Sequence, residues 1–177
     1  MKKLFAIALL ASGLMMAVQA NAQDDKSKRP SPPAKATAKL SSGATVTIDY
    51  SQPSINGRII GQEGNKGVEP LDGKVWRTGA NEATVFETDK DIMVADKKLP
   101  AGKYGLFTIF NGSDVTVIFS KTWKQWGAFT YKEADDALRI NAKVTEATPA
   151  EGKLVFTVNP GEVGFVWGNK KVEFPVK

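Results

Sequence analysis

Chemistry-bearing side chains concentrate in two short stretches of this sequence. Residues 73–84 read Gly-Lys-Val-Trp-Arg-Thr-Gly-Ala-Asn-Glu-Ala-Thr, which gathers an aromatic, a planar cation, an amide and an acid at Trp76, Arg77, Asn81 and Glu82. Arg77 can grip a carboxylate or phosphate with its fork of donors, Asn81 and Glu82 can hold hydroxyl groups, and Trp76 offers a stacking face. The local pattern predicts a strand, a sharp bend over 79–81 and a second strand. The same residues also suit a purely structural corner, with Arg77 paired to Glu82 and Trp76 filling the core.

The second stretch, residues 121–131, reads Lys-Thr-Trp-Lys-Gln-Trp-Gly-Ala-Phe-Thr-Tyr. In a strand, a spacing of three would put Trp123 and Trp126 on opposite faces, so the two serve one surface only if a turn or bulge intervenes. Gly127 permits one. Aromatic rings beside lysines suit a sugar or peptide, because a ring face binds apolar sugar faces and also accepts cations. The alternative places one tryptophan in the core and the other over a sheet edge, as large aromatics are usually substantially buried.

Much chemistry is excluded by composition. The chain has neither histidine nor cysteine, which removes serine–histidine and thiol nucleophiles together with the usual zinc ligand sets. No Ser-x-x-Lys and no nucleotide-binding glycine fingerprint opening a helix occurs. Two carboxylates could still hydrolyse a glycoside, one kept protonated and the other ionised. Glu82, Glu87, Asp89 and Asp91 are the candidates, with Glu82 the best placed. Asp89-Lys90-Asp91 reads as a polar turn that supplies two of the 6–8 oxygens calcium requires. No cofactor and no metal site is expected from this residue set.

The elements that position these groups are strands. Apolar residues recur with period two, most plainly over 44–51 and 138–144, which in an antiparallel sheet sends alternate side chains to core and solvent. Further strands are expected over 84–88, 91–95, 103–110, 115–120, 153–159, 164–167 and 171–176, most of them rich in Val, Ile, Phe and Thr. Asn111-Gly112 and Gly168-Asn169 mark tight hairpins, and Leu99-Pro100-Ala101-Gly102 marks a turn. Residues 132–137 allow one helical turn at most. Short strands with such punctuation predict an all-β, antiparallel β-sandwich of jelly-roll or immunoglobulin-like type over 38–177.

The N-terminus carries Lys2-Lys3, a charge-free apolar run over 4–18 and Ala20-Asn21-Ala22, the pattern of a signal peptide cleaved after Ala22. That run is shorter than the ~20 residues needed to span a bilayer, so a periplasmic or secreted protein without stable membrane insertion is expected. Residues 23–37 contain no aromatic or branched aliphatic side chain and read as a flexible leader. Removing residues 1–22 takes away two lysines and no acid, lowering the formal charge from +5 to +3. Lysines interspersed with acids make a solvated surface, and no nucleic-acid partner is expected.

With these residues in view, the chain resembles the exported bacterial family catalogued as domain of unknown function 2911. The resemblance rests on Tyr50-Ser51-Gln52-Pro53-Ser54 with Gly57-Arg58, on residues 73–84, on residues 99–107 and on Trp123 with Gln125-Trp126-Gly127. It spans about residues 33–177, and it implies compartment and domain extent without supplying a reaction. The glycine-rich connection over 61–73 is longer than the family's usual link. The leading expectation is a non-catalytic domain that binds a small polar ligand, glycan or peptide beside Trp76, Arg77, Asn81, Glu82, Trp123 and Trp126. A carboxylate-dependent hydrolase using Glu82, and an envelope scaffold docking through a sheet edge, are the alternatives.

Overall fold

The computed structural model describes residues 25–148 and 152–177. The expected signal peptide and its cleavage site lie outside the described residues. The strands are β1 (Pro33–Lys39), β2 (Thr45–Ser51), β3 (Ile59–Ile60), β4 (Gly67–Val68), β5 (Val75–Trp76), β6 (Thr84–Thr88) and β7 (Ile92–Val94), followed by β8 (Lys97–Leu99), β9 (Gly102–Asn111), β10 (Asp114–Ser120), β11 (Asp136–Glu146), β12 (Val155–Asn159), β13 (Glu162–Trp167) and β14 (Lys170–Pro175). Among the described residues, helical structure is confined to two 3₁₀ turns, Lys26–Lys28 and Glu133–Asp135. No helix there is long and apolar enough to cross a membrane.

The all-β, antiparallel expectation holds, and the architecture is a nearly closed, barrel-like sheet. Its strands follow the order β1-β2-β6-β9-β10-β11-β14-β13-β12, with β5 added beside β9. The end strands β1 and β12 return to each other's side, and Leu154 N donates to Pro53 O at 3.1 Å while Ser41 N donates to Pro160 O at 2.9 Å along that seam. Period-two patterning says which face of a strand is buried but is silent on where one sheet ends, because a sandwich and a curled sheet bury the same alternate positions. The long strand β11 carries the sheet around the curve, pairing with β10 over its first part and with β14 at Val144 to Glu146.

The interior is filled by alternate residues of these strands. Val46 and Ile48 of β2, Phe86 of β6, Leu106 of β9, Phe119 of β10 and Phe165 of β13 are almost wholly inaccessible. Their aromatic rings interlock edge-to-face, as between Phe86 and Phe119 (5.0 Å) and between Tyr50 and Phe156 (4.8 Å), contacts of this type adding about 0.5–1.5 kcal/mol each beyond area burial. A second, smaller apolar cluster lies on the outer side of the sheet. There Ala83, Phe107 and Ile118 are covered by Ala128 and Tyr131, so the segment after β10 is packed down onto the barrel wall.

The expected leader does not extend to Thr37. Residues 33–37, expected to be flexible, belong to β1, which pairs with β2 from Pro33↔Ser51 to Lys39↔Thr45. Alanine is a weak strand former, yet Ala34 and Ala36 pack against the main core and backbone pairing supplies the rest. The hairpins fall where glycine and asparagine place them, although the first centres on Gly112-Ser113, since Asn111 and Asp114 are themselves paired. One hairpin lacked such a signal: Val94 and Lys97 pair around Ala95 and Asp96, which hold φ of 46° and 63°.

Candidate functional site

The stretch around Arg77 is an excursion from a strand. β10 occupies one edge of β9, and β5 and β6 share the other. Trp76 pairs with Thr108 and Thr84 pairs with Leu106, so a regular strand would place one residue opposite Phe107. The chain instead spends residues 77–83 there, an oversized bulge of the sort that re-aims side chains near functional sites.

The bulge is held in an unfavourable backbone conformation by dense local bonding. Thr78 and Asn81 have φ of 49° and 57°, a region that costs a β-branched residue about 1–3 kcal/mol. Thr78 is fully buried, its hydroxyl lies 3.1 Å from that of Thr108, and its carbonyl accepts from Thr84 Oγ1 at 2.9 Å. A Cβ on Gly79 would stand 2.7 Å from Thr84 Oγ1 and 3.2 Å from Ser51 O, so glycine is required by close approach. Trp76 Nε1 donates to Gly79 O at 3.1 Å and closes the turn from inside.

Two depressions flank this bulge. On one side a cleft of about 550 Å³ is lined by Arg58, Gln62, Glu63 and Glu69 of the excursion between β2 and β5, by Ser31, and by Arg77, with Trp76 and Trp167 behind. One Arg77 terminal nitrogen pairs with Glu69 Oε2 at 3.2 Å, and its Nε is buried without a partner among the described residues. Arg58 donates to Ile55 O at 3.0 Å and to Ser54 O at 2.6 Å, which fixes its guanidinium at the rim.

On the other side a groove of about 400 Å³ runs between Glu82 and residues 123–126, with Ala83 and Val85 beneath. Both stretches highlighted by the sequence meet here. Glu82 and Trp126 form an antiparallel bridge, flanked by Ala83 N donating to Gln125 O and Gly127 N donating to Asn81 O, each at 2.9 Å. Glu82 Oε1 accepts from Lys26 Nζ at 2.9 Å, and Arg29 donates to both carboxylate oxygens at 3.0 and 3.1 Å. Burial by itself would raise the Glu82 pKa, but hydrogen bonds from Lys26, its own backbone N–H and Arg29 outweigh it and hold the group at about 2. Arg29 also stands 6.0 Å from the Trp126 ring centroid, within reach of a cation–π contact.

The six sequence candidates therefore do not converge on one pocket. Trp76 is 2 % exposed and belongs to the core, stacking near Trp167 at 6.5 Å. Arg77 faces the first cleft, and its partner is Glu69, not Glu82 as the structural corner required. Asn81 donates to Ser31 O at 3.0 Å and ties down the segment before β1. Glu82, Trp123 and Trp126 share the groove. Trp123 already has Lys124 Nζ at 4.9 Å and Lys103 Nζ at 5.6 Å from its ring, whereas Trp126 is 55 % exposed.

Of the other carboxylates, Asp89 accepts from Thr45 N at 2.6 Å and Asp91 from Ala101 N at 2.9 Å, with Lys98 on its second oxygen at 2.8 Å. These are turn staples, and neither is directed at the groove. Among the described residues no cluster of three or more acidic side chains could hold a metal. Sequence reasoning missed Lys26 and Arg29, which sit in a stretch of disordered composition, and Arg58 and Glu69, which sit in a glycine-rich one.

A family model described as "Protein of unknown function (DUF2911)" matches residues 31–176. No curated protein and no solved structure matches the chain.

Proposed function

The chain belongs to the DUF2911 family of proteins of unknown function, and from that footing we propose that its β domain is an exported, non-catalytic binding module that takes a small polar ligand, such as a glycan or peptide unit, in the cleft beside Arg77. The observation that carries this reading is the placement of Arg77: a guanidinium, its side chain 21 % exposed, at the wall of a cleft of about 550 Å³, held there by Glu69 at 3.2 Å. Cavities of about 300–1,000 Å³ with few fixed polar groups are the usual form of small-ligand sites. The strained, glycine-dependent bulge behind Arg77 holds the fork in place before any ligand arrives.

The hydrolase alternative is disfavoured by the surroundings of Glu82. A general acid must be protonated near the working pH, and Glu82 is pinned as a carboxylate by Lys26 and Arg29. Export to the periplasm or medium is supported by Lys2-Lys3, the apolar run over 4–18 and Ala20-Asn21-Ala22.

Thermal-shift screening of the wild-type protein and Arg77→Ala against oligosaccharides, amino acids and short peptides tests the binding reading. A ligand that raises the wild-type Tm and leaves Arg77→Ala unmoved supports it, provided the variant's own melt stays cooperative. A stabilising ligand that acts equally on both proteins refutes the assignment to Arg77.

A further inference from the structure

We propose that the groove between Glu82 and Trp126 is a second, separate recognition site, built for basic side chains of a Lys/Arg-containing peptide, and that the chain's own Lys26 and Arg29 are its resident occupant. The groove has the parts such a ligand needs. Glu82 presents both carboxylate oxygens, and each already carries a cation at hydrogen-bond distance. Trp126 presents an indole face, more than half exposed, with a guanidinium beside it. The remaining wall is Ala83, Val85, Trp123, Gln125 and Lys124; Lys124 Nζ lies 4.9 Å from the Trp123 ring centroid, and the apolar members can take the aliphatic stems of lysine or arginine.

The groove also has a rigid frame. Its two sides are joined by the Glu82–Trp126 bridge and the two flanking backbone hydrogen bonds, so acid and indole keep their separation when the occupant leaves. The resident segment is more lightly built. Lys26–Lys28 is a single 3₁₀ turn without a buried residue, and the side chains of Lys26 and Arg29, the two that reach Glu82, are 56 % and 19 % exposed. The exposed Lys26 pair contributes about 0.2–1 kcal/mol, and a peptide in trans that displaces the segment must also replace the part-buried contact of Arg29 to both Glu82 oxygens. Tight anchoring begins beyond these two residues, where Asn81 holds Ser31 O and Gln52 N donates to Pro32 O at 2.8 Å.

The test measures, by fluorescence anisotropy, binding of a labelled synthetic peptide with the sequence of residues 24–32. The proteins are the wild-type chain, Lys26→Ser/Arg29→Ser, and each of these with Glu82→Gln. The doubly substituted chain, whose groove has lost its resident cations, is expected to bind the peptide at least about tenfold more tightly than wild type. Glu82→Gln is expected to abolish binding in both backgrounds, and a control peptide with Gln at every basic position is expected not to bind. If the double variant fails to fold by circular dichroism, the weaker binding to wild type and its loss in Glu82→Gln carry the same comparison. Arg77→Ala should leave peptide binding unchanged, which separates this site from the Arg77 cleft. The proposal is overturned if neither background binds the peptide, if Glu82→Gln binds it as well as its parent, or if the Gln control binds equally.

Discussion

Glu82 and Trp126 are bonded as neighbours across an antiparallel bridge, so an acid from the bulge off β9 and an indole from the segment after β10 move as one unit. The bridge exists because Phe107, opposite the bulge, sends its ring to the outer face of the sheet. There it joins Ile118 and Ala83 beneath Ala128 and Tyr131, and this small outer core presses the 121–131 segment against the bulge.

The carboxylate of Glu82 ties stability to acid pH. Its folded pKa of about 2 lies below its ordinary value of 4.5, so the stability it contributes is complete above about pH 4.5 and disappears as pH falls toward 2. The stability gap between wild type and Glu82→Gln, read from urea midpoints, should be widest near pH 7 and close over that window. Parallel curves from pH 7 to pH 2 would show that the Lys26 and Arg29 pairs do not stabilise the fold.

Two tryptophans should respond oppositely to truncation. Trp76 is buried against Phe110, Phe165 and Trp167, so Trp76→Ala should cost about 3–5 kcal/mol. Trp126 is largely exposed, and Trp126→Ala should change stability by no more than about 0.5 kcal/mol. Chemical denaturation of the two variants checks this, and equal losses would contradict the division between core and groove.

Deletions from the N-terminus should find a sharp boundary. A chain starting at Pro30 keeps β1 and loses the Lys26 and Arg29 pairs to Glu82, so its Tm should fall by at least about 2–4 °C, the change that about 1 kcal/mol makes in a chain of this size. A chain starting at Leu40 loses all seven register pairs between β1 and β2 and uncovers part of the core, and it should not melt cooperatively. Cooperative melting of the shorter chain would mean that β1 is dispensable.

Alkali should unlock the outer core. Burial, reinforced by the hydrogen bond to Asp136, pushes Tyr131 up to about 12, and Arg139 in turn donates to the Tyr131 oxygen and to Asp136, each at 2.6 Å. The folded pKa exceeds the ordinary 10.0, so this contribution is full below pH 10 and fades as pH rises toward 12. Absorbance titration should show a phenol ionising near pH 12 in the wild type that is missing in Tyr131→Phe. A difference between the two titrations centred near pH 10 instead would refute the network.

The strands proved legible because their evidence is local. Over 45–51 and 136–146 the side chains alternate visibly, and β6 falls on the expected 84–88 because a half-buried strand leaves a period of two in the residues themselves. β1 was hidden, since alanines alternating with lysine and threonine look the same in a strand as in a leader. The groove was half legible: Glu82, Trp123 and Trp126 stand out by type, while Lys26 and Arg29 carry no sign of where they will dock.

What the amino-acid order determined by itself was the all-β class, the exclusion of imidazole and thiol chemistry, and the two stretches in which charge and aromatic rings concentrate. Tertiary structure alone decided that the sheet curls into one nearly closed wall, that Arg77 pairs with Glu69, and that Glu82 meets Trp126 and the cations before β1. Alternation and composition act through neighbours in the chain, whereas closure and pairing depend on which distant edges meet. That is settled by burying Phe107 outside and Phe86, Leu106 and Phe119 within, a choice made by the whole set of contacts at once.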